Sequence, residues 1–167
     1  VKCWGANASG QLGLGDTNNR GDVSDEPAVD LGSGIKAKAI AAGNQHTCAI
    51  LDNGSVKCWG SNASGQLGLG DDDNRGDEPD EMGNILPSVD LGSGRTAKVI
   101  ATGGSHTCAV LDNASVKCWG ENSNSQLGLG DHVNRGDEPD EMGNLLPSVE
   151  LYSDTATSIT TGTEYTC

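Results

Sequence analysis

The segment His46-Thr47-Cys48-Ala49-Ile50-Leu51-Asp52-Asn53-Gly54-Ser55-Val56-Lys57-Cys58-Trp59-Gly60 decides the fold. Two apolar, β-branched runs flank Asp52-Asn53-Gly54, which is a hairpin turn signal. With the turn centred on Asn53, Cys48 faces Cys58 and Ile50 faces Val56 on one side of the ribbon. Thr47 faces Trp59 and Ala49 faces Lys57 on the other. A second segment, His106 to Gly120, obeys the same rule, setting Cys108 against Cys118 and Val110 against Val116. Directly opposed residues in an antiparallel pair lie about 4.5–5.5 Å apart at Cα, within disulfide range. One register thus accounts for the apolar pairs and for two disulfides, Cys48–Cys58 and Cys108–Cys118.

Outward from the hairpins, the chain repeats itself. Val-Lys-Cys-Trp-Gly begins at Val1, Val56 and Val116; Gln-Leu-Gly-Leu-Gly-Asp at Gln11, Gln66 and Gln126; Asn-Arg-Gly-Asp at Asn19, Asn74 and Asn134. His-Thr-Cys occurs at His46 and His106, and Tyr165-Thr166-Cys167 is its third copy. The repeats are read as 1–55, 56–115 and 116–167. Repeats two and three carry a longer Glu-Pro-Asp-Glu-Met-Gly-Asn-x-Leu-Pro-Ser segment, starting at Glu78 and Glu138, where repeat one has Glu26-Pro27-Ala28. A length change confined to one place marks a surface loop. In the middle unit four short strands are expected: Pro87–Leu91, Ala97–Ala101, His106–Leu111 and Ser115–Trp119. No stretch sustains an apolar period of 3.6, so little helix is expected.

Composition narrows the function classes. Hydrophobic residues make up 34% and aromatics 3%, with no Phe, so each unit is poor in core material. Acids outnumber bases 24 to 10, for a formal charge of −14. Nucleic-acid binding needs the opposite field. The longest apolar runs are four residues, too short for a membrane span. No signal peptide is visible; with Val rather than Met at its start, the chain is expected to be a mature product or a fragment. Six regularly spaced cysteines point to an oxidising compartment.

The pattern Trp59-Gly60-x-Asn62-x-x-Gly65-Gln66-Leu67-Gly68-Leu69-Gly70, preceded by His46-Thr47-Cys48-Ala49, resembles the regulator of chromosome condensation repeat family over nearly the whole chain. The resemblance implies a β-propeller, usually seven-bladed, with one four-stranded blade per repeat. Its functions range from nucleotide exchange on a small GTPase with chromatin binding, through enzyme inhibition by a secreted bacterial member, to surface proteins. The −14 charge and the cysteine pairs oppose the nuclear activity. This sequence departs from the pattern at Tyr165, which stands for His, at Asn124-Ser125, and in its long acidic loops.

Three units are too few for a seven-bladed ring, and a blade cannot bury both faces alone. Cys3 lacks the strand that should precede it, and Cys167 the strand that should follow. Each is expected to be half of a hairpin disulfide, completed by adjacent sequence or by another chain. Three readings stand: a fragment of a longer repeat protein, chains that add end to end, and an arbitrary cut.

Candidate chemistry is weighed against plainer readings. Calcium favours several carboxylates from one loop, which makes Asp16, Asp22, Asp71, Asp77, Asp131 and Asp137 the candidate ligands. The plainer reading is a solvated loop in which Arg75 pairs with a carboxylate. Arg75 also breaks the EF-hand frame. Zinc at His46, Cys48 and Cys58 fails in the third copy, and no fourth ligand recurs. Arg-Gly-Asp at Arg20, Arg75 and Arg135 matches the integrin tripeptide but lies within a repeated structural loop. Asn7, Asn53, Asn62 and Asn113 head glycosylation sequons; turn chemistry is the plainer reading. No catalytic set recurs, His46 and His106 read as packed residues, and Trp4, Trp59 and Trp119 read as packing anchors. The sequence therefore predicts all-β, propeller-type blades in an incomplete ring or open superhelix. It predicts a non-catalytic extracellular or cell-surface scaffold, structural or adhesive, partnered by itself, by neighbouring repeats or by another protein. The runner-up is a secreted propeller that binds or inhibits a protein through its loops. No cofactor beyond calcium is expected.

Overall fold

The structure, a computed structural model, describes residues 1–167 apart from 22, 23, 25, 153 and 154. Among the described residues six strands form two antiparallel sheets: β1 (Ala37–Ala42), β2 (His46–Leu51) and β3 (Val56–Gly60) in the first, β4 (Ala97–Thr102), β5 (His106–Leu111) and β6 (Val116–Gly120) in the second. Among the described residues no helix is long and apolar enough to cross a membrane.

The hairpin register is Thr47↔Trp59, Cys48↔Cys58, Ala49↔Lys57 and Ile50↔Val56, repeated as Thr107↔Trp119 through Val110↔Val116. The turn requires a left-handed residue at its last position. Gly54 supplies it at φ +82°, and Ala114 is held there at φ +66°. Inner strands β1 and β4 each carry a bulge, between Ala37 and Ala39 and between Ala97 and Val99.

The fourth, outer strand is reduced to two touch points. Val89 N donates to Val56 O at 2.8 Å, and Gly60 and Arg75 exchange bonds of 2.7 and 3.1 Å. The expected strand Pro87–Leu91 thus lies at the β3 edge without a ladder. Pro87 has no N–H to give, and Asp90 O accepts from Gly143 N of the next insertion rather than from a strand neighbour. The arrangement recurs at Val149–Val116 with Arg135–Gly120, and at Val29–Val1 with Arg20–Gly5.

Every residue of β2, β3, β5 and β6 is buried. Such two-sided burial is what a stacked blade requires, because both of its faces meet neighbours. β4 lies against β1 and β2. Its Ile100 is 9% exposed, whereas the equivalent Ile40 on β1 is 47% exposed.

Candidate binding surface

The joint between repeats is a polar relay inside an apolar seam. Gln66 O accepts two bonds from the second hairpin, from Thr107 Oγ1 of its own repeat at 2.9 Å and from Trp119 Nε1 of the next at 3.1 Å. Gln11 O does the same for Thr47 Oγ1 and Trp59 Nε1. Gly13 and Gly68 let the indoles approach. A Cβ added to Gly13 would lie 2.8 Å from Trp59 Nε1, and one on Gly68 2.7 Å from Trp119 Nε1. Trp59 and Trp119 are fully buried anchors; Trp4 is 63% exposed.

The histidines complete the relay. His46 Nε2 lies 2.9 Å from Thr107 Oγ1, and His106 Nε2 lies 3.0 Å from Thr166 Oγ1. Each hydroxyl has one proton and spends it on a glutamine carbonyl, so it must accept from the imidazole. Each ring therefore carries its proton on Nε2. Both Nδ1 atoms are buried without a hydrogen-bond partner. Burial, with His106 nearby, drives the His46 pKa down to about 4. These rings are structural and stay neutral.

Disulfides join Cys48 to Cys58 and Cys108 to Cys118, with Cα atoms 4.1 Å apart in both. Cys3 and Cys167 carry free thiols, the first half-buried and the second exposed. Burial raises the Cys3 thiol pKa.

The acidic loops close on themselves. Asp71 Oδ2 pairs with Arg75 at 2.7 Å, Asp16 with Arg20 at 2.6 Å and Asp131 with Arg135 at 2.6 Å. The backbone N–H of Val133 and the Arg135 guanidinium hold the Asp131 carboxyl below its usual range. The carboxylates expected as calcium ligands at 16, 71 and 131 are thus each engaged by a guanidinium. Asp77 and Asp137 lie beyond, next to the insertion; burial and then Glu141 push Asp137 up, and its Oδ1 has no partner. Asp22 lies outside the described residues. Among the described residues no three His, Cys, Asp or Glu side chains form a group that could hold a metal ion.

Two expected glycan positions need correction. Asn7 and Asn62 are fully buried. Their Nδ2 atoms, the point of glycan attachment, donate to Asp16 O and Asp71 O at 2.7 Å, while their Oδ1 atoms accept from Leu12 N and Leu67 N. These asparagines, with Asn122, staple the Gly-Leu-Gly loop. Asn53 and Asn113 are exposed at the hairpin tips. Their Oδ1 atoms accept from Ser55 and Ser115 in local turns.

Lys57 and Lys117 carry a role that the sequence reading missed. Both are buried. Lys57 Nζ donates to Leu31 O at 3.0 Å and Gly83 O at 2.6 Å, and Lys117 Nζ donates to Gly143 O. Burial lowers both ammonium pKa values, with Asp30 and Asp90 pulling the other way. Each lysine pins the Met-Gly-Asn part of an insertion to the outer face of the hairpin. The signal lay in a lysine recurring on the second ribbon face.

Comparisons with known proteins agree with this architecture. The profile described as Regulator of chromosome condensation (RCC1) repeat matches residues 3–50 and 53–110, and a second profile of the same description matches 37–66 and 98–126. The Ultraviolet-B receptor UVR8 of Arabidopsis thaliana is 34% identical over 136 residues, covering 81% of this chain and 28% of the receptor. The X-linked retinitis pigmentosa GTPase regulator of Mus musculus is 34% identical over 131 residues, 78% of this chain and 12% of the relative. The probable E3 ubiquitin-protein ligase HERC4 of Homo sapiens is 35% identical over 130 residues, 77% of this chain and 11% of the relative. Among solved structures, Prp20p from Saccharomyces cerevisiae superposes with a TM-score of 0.65 at 21% identity over 98% of this chain and 37% of that one. Yeast RCC1 (Prp20) bound to Kap60 gives 0.60 at 22% identity over 98% and 36%. These structural likenesses concern the fold. The chain spans less than a third of the length of the curated relatives named here.

Proposed function

The chain belongs to the regulator of chromosome condensation (RCC1) repeat family, and from that premise we propose that it is a non-catalytic scaffold, extracellular or at a cell surface. It holds protein partners, in a structural or adhesive role, and joins further repeats end to end. One observation carries this reading: the His46, Thr107, Trp59, Lys57, Arg75 and Asn62 side chains of the repeated motifs are spent on joining loop to strand and repeat to repeat. None of these six side chains is left poised for chemistry, and the insertions present acids and isolated apolar side chains to solvent.

Two buried cystines fit an oxidising compartment. Cys3 occupies the ribbon position of Cys58 and Cys118, and Cys167 that of Cys48 and Cys108. A complementary strand, from a neighbouring repeat or a second copy, completes either half. Prp20p has binding properties toward Gsp1p and histones, which supports a protein partner here in kind, not in identity. Guanine-nucleotide exchange at chromatin is disfavoured by the −14 charge. A second reading, a secreted propeller that binds or inhibits another protein through its loops, is favoured by the exposure of Ile85 and Leu145 on the insertions.

Non-reducing sedimentation with intact mass measurement and electron microscopy tests the proposal. Disulfide-linked, reductant-sensitive assemblies are expected. Discrete monomers forming one-to-one complexes would favour the second reading, and stimulated nucleotide release from a GTPase in reducing buffer would overturn both.

A further inference from the structure

One groove occurs twice. The first, of about 660 Å³, lies between repeats one and two, with Leu14, Pro27, Asp30, Asp80, Met82 and Ile85 among its walls. The second, of about 450 Å³, lies one repeat further on, with Leu69, Pro87, Asp90, Asp140, Met142 and Leu145 at the matching places. Both are fixed by the same backbone bonds: Gly83 N to Asp30 O and Gly143 N to Asp90 O, each 3.0 Å. The lysine clamps described above hold both floors.

The two grooves share one chemistry. An aliphatic side chain stands in the open, Ile85 at 68% exposure and Leu145 at 67%. An exposed aspartate stands beside it at a left-handed backbone position, Asp80 at φ 65° and Asp140 at φ 67°. Among the described residues no salt bridge reaches either aspartate, whereas Asp16, Asp71 and Asp131 are each paired with arginine. Lys57 and Lys117 offset Asp30 and Asp90 from below, so the uncompensated charge sits at the rim. An apolar seat beneath an acidic rim complements a cation-bearing segment with an apolar anchor.

We propose that these paired grooves dock an extended basic segment of a partner protein, one apolar side chain on Ile85 and another, further along, on Leu145, each flanked by cationic residues. The proposal rests on the reading of the chain as a protein-binding scaffold and names the partner's chemistry. Two seats of like chemistry on one chain make binding bivalent, so a segment long enough to reach both binds more tightly than one that fills a single groove.

Fluorescence anisotropy of the intact 167-residue chain with a labelled peptide of alternating arginine and leucine provides the test. Salt-sensitive binding is expected, weakened about tenfold or more by Asp80→Asn with Asp140→Asn, and likewise by Ile85→Ser with Leu145→Ser. Asparagine keeps the shape and tolerates the left-handed backbone; circular dichroism confirms the fold of each variant. Asp72→Asn with Asp73→Asn, exposed acids outside both grooves, leaves binding unchanged. Equal weakening by that control, equal binding of an arginine–serine peptide, or no binding would overturn the proposal. A chain that ignores the peptide yet forms disulfide-linked assemblies would remove this site and leave the scaffold reading intact.

Discussion

Acidification acts first on the joint at His46. Its Nε2–H is committed to Thr107, and its Nδ1 lies in a site 1% exposed with no acceptor. A second proton would place an unmatched N–H and a full charge in the seam. The folded pKa of about 4 lies below the ordinary 6.5, so between these values the unfolded chain binds the proton and the folded chain does not. Stability from this group is therefore intact above about pH 6.5 and is lost as pH falls toward 4. At roughly 1.4 kcal/mol per pH unit across that window, His46 removes roughly 2 kcal/mol between about pH 7 and pH 4.5. His106, lowered in the same direction chiefly by burial, adds to the slope. Urea unfolding at a series of pH values, for the wild type and for His46→Gln, isolates the effect. Glutamine can still donate to Thr107 but does not titrate. The variant should be less stable at neutral pH, and the gap should narrow on acidification. Parallel pH profiles for the two proteins would refute the reasoning.

Three further outcomes follow from named contacts. Ala114→Gly relieves a left-handed alanine and should stabilise by up to about 1 kcal/mol, whereas Gly54→Ala, whose new Cβ would lie 2.8 Å from Thr96 Cβ, should destabilise by about 1–3 kcal/mol; thermal midpoints read both. Lys57→Met strips the donor from Leu31 O and Gly83 O and should cost about 1–3 kcal/mol, with faster proteolysis near Gly83 as the local signature. In the isolated, unassembled chain Ellman's reagent should titrate Cys3 and Cys167, Cys167 first, because it is exposed while burial holds the Cys3 thiol up; in disulfide-linked assemblies both should be protected until reductant is added.

What could be read from the sequence was local. Asp52-Asn53-Gly54 and the matched cysteines fixed the hairpin register because turn, side-chain alternation and sulfur reach are properties of one ribbon. Trp59 and Trp119 could be read as packing anchors from their recurrence in a chain so poor in aromatics. What escaped depended on how the loops fold back on the ribbon. Lys57 faces away from the cystines, and a lone ribbon would leave it in water; only the insertion of its own repeat, folded back on the ribbon, brings Gly83 O to its ammonium. Asn62 reads equally well as a sequon or a staple until the Gly-Leu-Gly loop wraps it. The outer strand was over-read at Pro87–Leu91, because spacing and Val89 gave no weight to Pro87, which lacks an N–H, or to the insertion that claims Asp90 O.

The cystine within each hairpin also sets how the array would bear load. A pull along the chain enters at Cys48 and leaves at Cys58 through sulfur, bypassing the intervening tip, with the two Cα atoms only 4.1 Å apart. The ten-residue separation withholds about 30 Å of extended length per hairpin. In single-molecule stretching each sheet would thus yield a shortened step, and a reductant would let out the slack, making thiol potential a setting for extensibility.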